Sequence, residues 1–357
     1  METVFVAMSG GFDSFLAAYL LKTSGHRVVG VTFTLFNGPL FDRLDLGGCS
    51  SKSAALVARD LCRDLALSHH VIDLSDAFTE RVVEPFIEGY RSGTTPNPCV
   101  LCNRFIKFGA FHEQALAMGA GMIATGHYAR TERKDGDILL KKGCDANKDQ
   151  SYFLYSVDKE TLKRTVFPLG EYTKEGLRSL ARREGLRPPG SRESQDICFI
   201  PGGRYGDFIS RFIKPRGGRI YLTDGTLLGH HEGIHLFTVG QRRGINIPYR
   251  EALYVIEIRG GENAVVVGTK KDLERDSLTA RAASILYPVT KGISARVRYR
   301  QPDRPCKCTV YDDTLTVTFD TPVDGISPGQ SVVLYHDDIV AGGGIIEKRL
   351  ALEQAIL

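Results

Sequence analysis

A chain of 357 residues, 42% hydrophobic and 25% charged, has the composition of an ordinary globular protein and the length for two or three cores. Its apolar runs fall far short of the ~18 residues that a membrane span needs, so no membrane partner is expected. The opening METVFVAMSGG enters a strand at once and leaves no room for a signal or transit peptide, so the expected compartment is the cytoplasm.

The first half alternates strand and helix. TVFVAM reads as a short buried strand. Phe12, Phe15, Leu16, Tyr19 and Leu20 then recur at helical spacing, with Gly25 as a C-terminal cap. RVVGVTFTLF is a second strand. SKSAALVARDLCRDLAL is a helix with Ala54, Leu56, Val57 and Leu61 on its apolar side. HHVIDL is a third strand, after which Ser75 or Asp76 can cap a helix. RFIKFGAFHEQALAMG is a helix ending at Gly119, and MIATG is a fourth strand. This alternation implies an α/β fold with a parallel sheet whose ligands bind beyond the carboxyl ends of the strands. Ser9–Ser14, the Thr34–Gly48 loop and Gly126–His127 all follow strands.

From about Tyr205 the texture changes to Gly-rich short strands with an Asp224–Gly225 turn. After Leu278 the chain reads as strand after strand, which suits a small antiparallel barrel or sandwich. Charge is uneven. Between Lys270 and Val310 ten Lys/Arg oppose four acids, a local +6 that leaves −2 for the rest of the chain. Such a block suits either a polyanion partner or a merely solvated face.

SGGFDS, Ser9 to Ser14, sits between a strand and a helix. Adjacent glycines let backbone N–H groups approach a ligand, and the helix N-terminus adds aligned donors. The hydroxyls of Ser9 and Ser14 can donate to phosphate oxygens. Asp13 cannot face a phosphate, which leaves it for Mg²⁺ or for backbone amides. A ligand-free capped turn would look the same in isolation. No G-x-x-x-x-G-K-[ST] is present, so the lysine of a Walker site is missing.

Of eight cysteines, Cys99 and Cys102 form a C-x-x-C, which reads as redox or metal chemistry. Pro96 and Pro98 stiffen the preceding loop. Asn103 is placed to cap the next helix, which would put Cys102 at a helix N-terminus with a lowered thiol pKa, near Arg104 and Lys107. Cys198 stands among Ile197, Phe199 and Ile200, a setting that by itself suits a core cysteine in a strand. Cys306 and Cys308 share one face of an alternating strand, where burial is the expected role.

The SGGFDS segment resembles the pyrophosphate loop of ATP pyrophosphatases, which cleave ATP between the α and β phosphates and adenylate a carbonyl oxygen. SGGFDS, TPNPCVLCNRFIKF, ATGHYAR, NKDQSYFLY, FPLG, SQDICFIPGG, HEGIHLFTVGQRRG, RVRYRQP and SPGQSVVLY occur in this order. Together they resemble the tRNA-specific 2-thiouridylases over nearly the whole chain.

That resemblance implies three domains: a Rossmann-like pyrophosphate-loop domain at 1–205, a small β-rich domain at 206–276 and a tRNA-binding β-barrel at 277–357. Ala7, Met8, Ser9, Gly10, Gly11, Phe12, Asp13 and Ser14 would bind ATP, with Gly126 and a backbone group near Phe33–Leu35 holding the adenosine. Cys102 matches the family's nucleophile and Cys198 its persulfide carrier. Asn97, Pro98 and Cys99 match the stretch beside the target base. His127, Lys148, Asp149, Gln150, Arg298, Tyr299 and Gln330 match tRNA-contacting positions on an anticodon stem-loop partner.

Many members carry Asp where this chain has Cys99. That departure opens a second route, in which Cys99, Cys102 and Cys198 ligate a [4Fe–4S] cluster. The expected co-substrates are ATP with Mg²⁺ and a sulfur donor such as a cysteine desulfurase or a sulfur-relay protein. Two other functions compete: a pyrophosphate-loop synthetase or amidotransferase acting on a small molecule, and a non-catalytic RNA-binding protein.

Overall fold

The computed structural model describes residues 2–37, 51–189, 197–200, 205–289 and 291–348. They fall into two compact units. The first comprises Met1–Val83, Pro98–Gly203 and Asp338–Val340; the second comprises Glu84–Asn97, Arg204–Asp337 and Ala341–Leu357.

In the first unit, β1 (Thr3–Ala7), β2 (Arg27–Thr34), β3 (Ser68–Asp73), β4 (Met122–Ala124) and β7 (Thr165–Val166) form a parallel sheet in the order β3-β2-β1-β4-β7. The intervening β5 (Ala129–Lys134) and β6 (Asp137–Lys142) make an antiparallel hairpin. Val4 and Val6 are buried together with Phe15, Leu16 and Leu21 of helix α1 (Phe12–Thr23), which packs the sheet as the apolar spacing requires.

The helix Ser51–Asp64 departs from its expected face. Leu56 and Val57 are exposed, while Ala58, Leu61, Cys62 and Leu65, at i, i+3, i+4 and i+7, enter the core. The cap after β3 also differs. Asp73, not Ser75 or Asp76, provides it, its Oδ1 accepting the Ser75 N–H at 2.9 Å and the Ser75 hydroxyl at 2.6 Å.

The strand order reverses at β1. The chain first steps outward to β2 and β3, then returns to place β4 on the other side of β1. The carboxyl ends of β1 and β4 therefore flank the switch point of the sheet, the usual ligand position in such folds. β1 leads into SGGFDS and β4 leads into Thr125–Gly126–His127.

The second unit holds a four-stranded sheet and a barrel. β8 (Gly218–Leu222), β9 (Leu227–His231), β10 (Tyr254–Arg259) and β11 (Ala264–Gly268) are ordered β10-β11-β8-β9 around Ile220, Val255, Val265 and Val267. The expected turn joins β8 to β9, where Asp224 accepts the Thr226 N–H at 2.9 Å.

β12 (Arg275–Ile285), β13 (Ile293–Arg296), β14 (Arg304–Tyr311), β15 (Thr314–Val323), β16 (Ser331–His336) and β17 (Ile339–Ile346) run in the order β12-β15-β14-β13-β16-β17. Pairing of β12 with β17 closes them into a six-stranded antiparallel barrel, which removes the open edges that a sandwich would leave. Cys306 is buried and Cys308 half-buried. Among the described residues no helix is long and apolar enough to cross a membrane.

Candidate functional site

The turn after β1 carries the chain from the sheet into α1. Met8 is spent on the sheet: its N–H donates to Val31 O at 2.7 Å and its carbonyl accepts the Thr32 hydroxyl at 2.8 Å. From Ser9 onward the backbone leaves the ladder. Gly10 has a φ of +76°, a conformation that glycine adopts without steric cost. The first intrahelical bond runs from Phe15 N–H to Gly11 O at 3.2 Å, so the amides of Gly11 to Ser14 precede it, and no side chain caps the Gly11 end. The Ser9 and Ser14 hydroxyls stand 3.2 Å apart at this turn. Phe33, at the carboxyl end of β2, packs on Phe111 with ring centroids 4.8 Å apart. Residues 38–48 of the expected loop lie outside the described residues.

Gly126 explains how β4 meets this turn. A Cβ there would sit 3.0 Å from Asp13 C and 3.1 Å from Ser14 N, so any larger residue would crowd the backbone of the turn. Two residues on, the Tyr128 hydroxyl donates to Asp13 Oδ1 at 2.7 Å, and Lys174 Nζ donates to the same oxygen at 2.6 Å. The carboxylate of Asp13 thus holds Lys174 and Tyr128 through one oxygen. The sequence reading missed Lys174. Its signal was a lysine at the first position of a helix, Lys174–Arg183, where a cation opposes the helix dipole.

The cysteine segment also differs from expectation. The helix begins at Pro98, with Pro98–Leu101 running into a wider π-helical stretch, Cys102–Ala110. Proline suits a first helical position, and Asn103 is no cap: it lies inside the helix, buried, with Nδ2 donating to Phe153 O at 3.0 Å. Cys102 is therefore not at a helix N-terminus, and its thiol pKa is raised, not lowered, because burial outweighs the Lys107 charge. Burial likewise pushes Cys99 up to about 11 and Cys198 up to about 12, and each is raised further by Cys102. Both side chains still reach solvent while protein crowds them. Cys198 stands in a turn and is exposed, unlike the strand-core cysteine its neighbours suggested. The three thiols thus share one electrostatic neighbourhood, with Lys107 opposing the burial of each.

Lys107 is itself held. Its Nζ lies 3.4 Å from His127 Nε2, and His127 Nδ1 is 2.7 Å from Thr125 Oγ1. Burial and the Lys107 charge keep His127 neutral, well below its ordinary pKa. An ammonium can only donate, so Nε2 accepts and Nδ1 carries the proton toward Thr125. His127, expected at a tRNA surface, is buried. Asp149 is buried too, accepting the N–H groups of Gly143 and Ser151, and Gln150 Oε1 accepts the Tyr128 N–H at 3.0 Å. Lys148, beside them, is half-buried.

In the second unit, Gln330 Nε2 donates to Thr95 O at 2.9 Å, and Pro328 O accepts the Thr95 N–H at 2.8 Å. These bonds fix the backbone just before Asn97. Arg298 donates to the carbonyls of Gly325 and Val239 at 2.8 and 2.6 Å, and Tyr299 beside it is half-buried. Within the basic block, Arg296 pairs with Asp303 at 2.7 Å, while Lys270, Lys271, Arg281, Lys291, Arg304 and Lys307 are exposed.

Among the described residues, no three His, Cys, Asp or Glu side chains are arranged to hold a metal ion. Cys99, Cys102 and Cys198 are all among the described residues, each with a free thiol.

Three family models match in succession: the tRNA methyl transferase HUP domain at residues 2–202, the tRNA methyl transferase PRC-barrel domain at 206–269 and the aminomethyltransferase beta-barrel domain at 275–346. A protein of Syntrophotalea carbinolica named tRNA-specific 2-thiouridylase MnmA is 44% identical over 349 residues, covering 96% of this chain and 98% of the relative. One of Caldanaerobacter subterraneus subsp. tengcongensis, named tRNA-specific 2-thiouridylase MnmA 1, is 43% identical and covers 97% of this chain and 98% of the relative. A solved 4-thiouridine synthetase–RNA complex with bound ATP is similar at a TM-score of 0.35 and 18% identity, over 59% of this chain and 50% of that one, too distant to carry weight. Identity of this degree over nearly full length, with three family domains in order, shows that the chain belongs to the tRNA-specific 2-thiouridylase family.

Proposed function

We propose that this chain is a tRNA-uridine 2-sulfurtransferase: it adenylates the C2 oxygen of the wobble uridine in tRNA and replaces it with sulfur, giving 2-thiouridine, AMP and diphosphate. One observation carries the reading beyond family membership. The segment Ala124–Tyr128 touches the phosphate turn through Gly126 and Tyr128, and through His127 it touches Lys107, the cation that serves the thiols. Nucleotide chemistry and sulfur chemistry thus meet on five consecutive residues.

The uridine C2 oxygen attacks the α-phosphorus, and the bond to diphosphate breaks. The helix-start amides of Gly11 to Ser14 and the Ser9 and Ser14 hydroxyls suit the task of spreading phosphate charge. Mg²⁺ would arrive with the nucleotide phosphates. A persulfide on Cys198, loaded by a cysteine desulfurase or sulfur-relay protein, attacks C2 through its terminal sulfur, and AMP leaves with the former C2 oxygen. Cys102 as thiolate then attacks Cys198 Sγ. The S–S bond to the base breaks, sulfur stays on C2, and a Cys102–Cys198 disulfide remains for a dithiol reductant to reopen. Alternatively, Cys102 first releases hydrosulfide from Cys198, and hydrosulfide attacks C2.

The anticodon loop supplies an unpaired base that can be splayed out, and the barrel and basic block supply cations for its phosphates. The domain limits 1–205, 206–276 and 277–357 and a cytoplasmic location belong to the same reading. A small-molecule synthetase would need neither the thiols nor the basic barrel. Release of diphosphate that depends on added tRNA tests the proposal; release without tRNA, or none at all, contradicts it.

A further inference from the structure

The Asp13–Lys174 pair stands where an anion should be unwelcome. Asp13 projects from the first turn of α1, beside the amides that suit a polyphosphate. A bare carboxylate there would repel the incoming phosphates. Lys174 lies behind it: the lysine side chain is 6% exposed and the aspartate side chain 38%. Its Nζ is 2.6 Å from Asp13 Oδ1 and 4.3 Å from the centroid of the Phe12 ring. Tyr128 donates to the same oxygen at 2.7 Å. At the other end of the residue, the Lys174 N–H donates to Asp145 Oδ2 at 2.9 Å, and Thr173 caps the helix that begins there through the Gly176 N–H at 3.0 Å.

The arrangement is costly as a structural device. A buried ion pair contributes little net stability, and a lysine at a helix start opposes the dipole. Nor is Lys174 placed to grasp phosphate directly, since Asp13, Phe12 and Tyr128 cover its ammonium. An approaching anion would meet the carboxylate first.

Resting on the reading that ATP binds this turn, we infer that Lys174 is the counter-charge of the nucleotide site: it neutralises Asp13, so that a carboxylate can orient the turn without repelling the polyphosphate. Lys174 is then a positioning residue that acts through Asp13.

The test is calorimetric titration of the full chain with MgATP and, separately, with uncharged adenosine. Lys174→Met exposes the bare carboxylate and should weaken ATP about thirtyfold while leaving adenosine within about twofold. The double variant Asp13→Asn/Lys174→Met buries no charge and should restore ATP to within about fivefold of wild type. Asp13→Asn alone should lose no more than about tenfold in ATP affinity, less than Lys174→Met. Unchanged ATP binding in Lys174→Met overturns the inference. So does a double variant as weak as Lys174→Met, which would make the lysine a direct phosphate ligand. Should Lys174→Met fail to fold, Asp13→Asn decides: a loss beyond about tenfold shows that the carboxylate itself is needed. Wild-type protein that binds no ATP would overturn the nucleotide reading as well; wild-type binding with failing variants overturns this inference alone.

Discussion

The ammonium of Lys107 lies 3.4 Å from Nε2 of His127, which ties the helix bearing Cys99 and Cys102 to the segment that borders the phosphate turn. Lys107 is the charge that opposes burial at all three thiols. Lys107→Met removes it, so the thiol pKa values rise further and less thiolate is present at any given pH. Alkylation of Cys102 at neutral pH should slow about tenfold, and the pH–rate profile of thiolation should move to higher pH. An unmoved profile would show that Lys107 does not activate the thiols.

Cys102→Ser and Cys198→Ser should each abolish thiolation and leave tRNA affinity within about twofold, because serine preserves size while removing the nucleophile or the sulfur carrier. Cys99→Asp should retain thiolation within about threefold, since the persulfide route does not use Cys99. The purified wild-type protein should be active without iron. Loss of activity in Cys99→Asp together with iron bound to the wild-type protein would favour the cluster route.

Gln330 should act at a distance from the chemistry. Its bond to Thr95 O fixes the backbone that leads to Asn97, so Gln330→Ala should cost about 1 kcal/mol of stability and raise KM for tRNA more than it lowers kcat. Thermal unfolding and steady-state kinetics check both parts. A purely kcat effect would remove the positioning role.

The exposed cations Lys270, Lys271, Arg281, Lys291, Arg304 and Lys307 should make tRNA binding fall steeply with salt. Replacing Lys307 with Ala should weaken binding and reduce the slope of log affinity against log salt by about one unit, whatever the tRNA sequence. Affinity that does not change between low and physiological salt would sever the basic block from tRNA.

The strand–turn–helix at Ser9–Ser14 was legible in the sequence because Gly, Ser and Asp between a strand and a helix carry their geometry locally. The alternation of elements was legible too, and with it the parallel sheet. Lys174 was not, since it meets Asp13 across 161 residues of chain. Nor was the burial that raises the thiols of Cys102 and Cys198, which depends on the tertiary fold. The cap assigned to Asn103 failed because Pro98 starts the helix earlier, and the thiol pKa then followed burial, not a helix end. His127, Asp149 and Gln150 showed polar side chains in the sequence but not their inward direction.

The most direct test incubates the protein with unmodified tRNA, MgATP and a persulfide-loaded sulfur donor, then digests the tRNA and identifies its nucleosides while diphosphate is measured in parallel. The account predicts 2-thiouridine at the wobble position and diphosphate formed only when tRNA is present, one for each uridine converted. Diphosphate formed equally without tRNA, or tRNA bound but left unmodified, would contradict it.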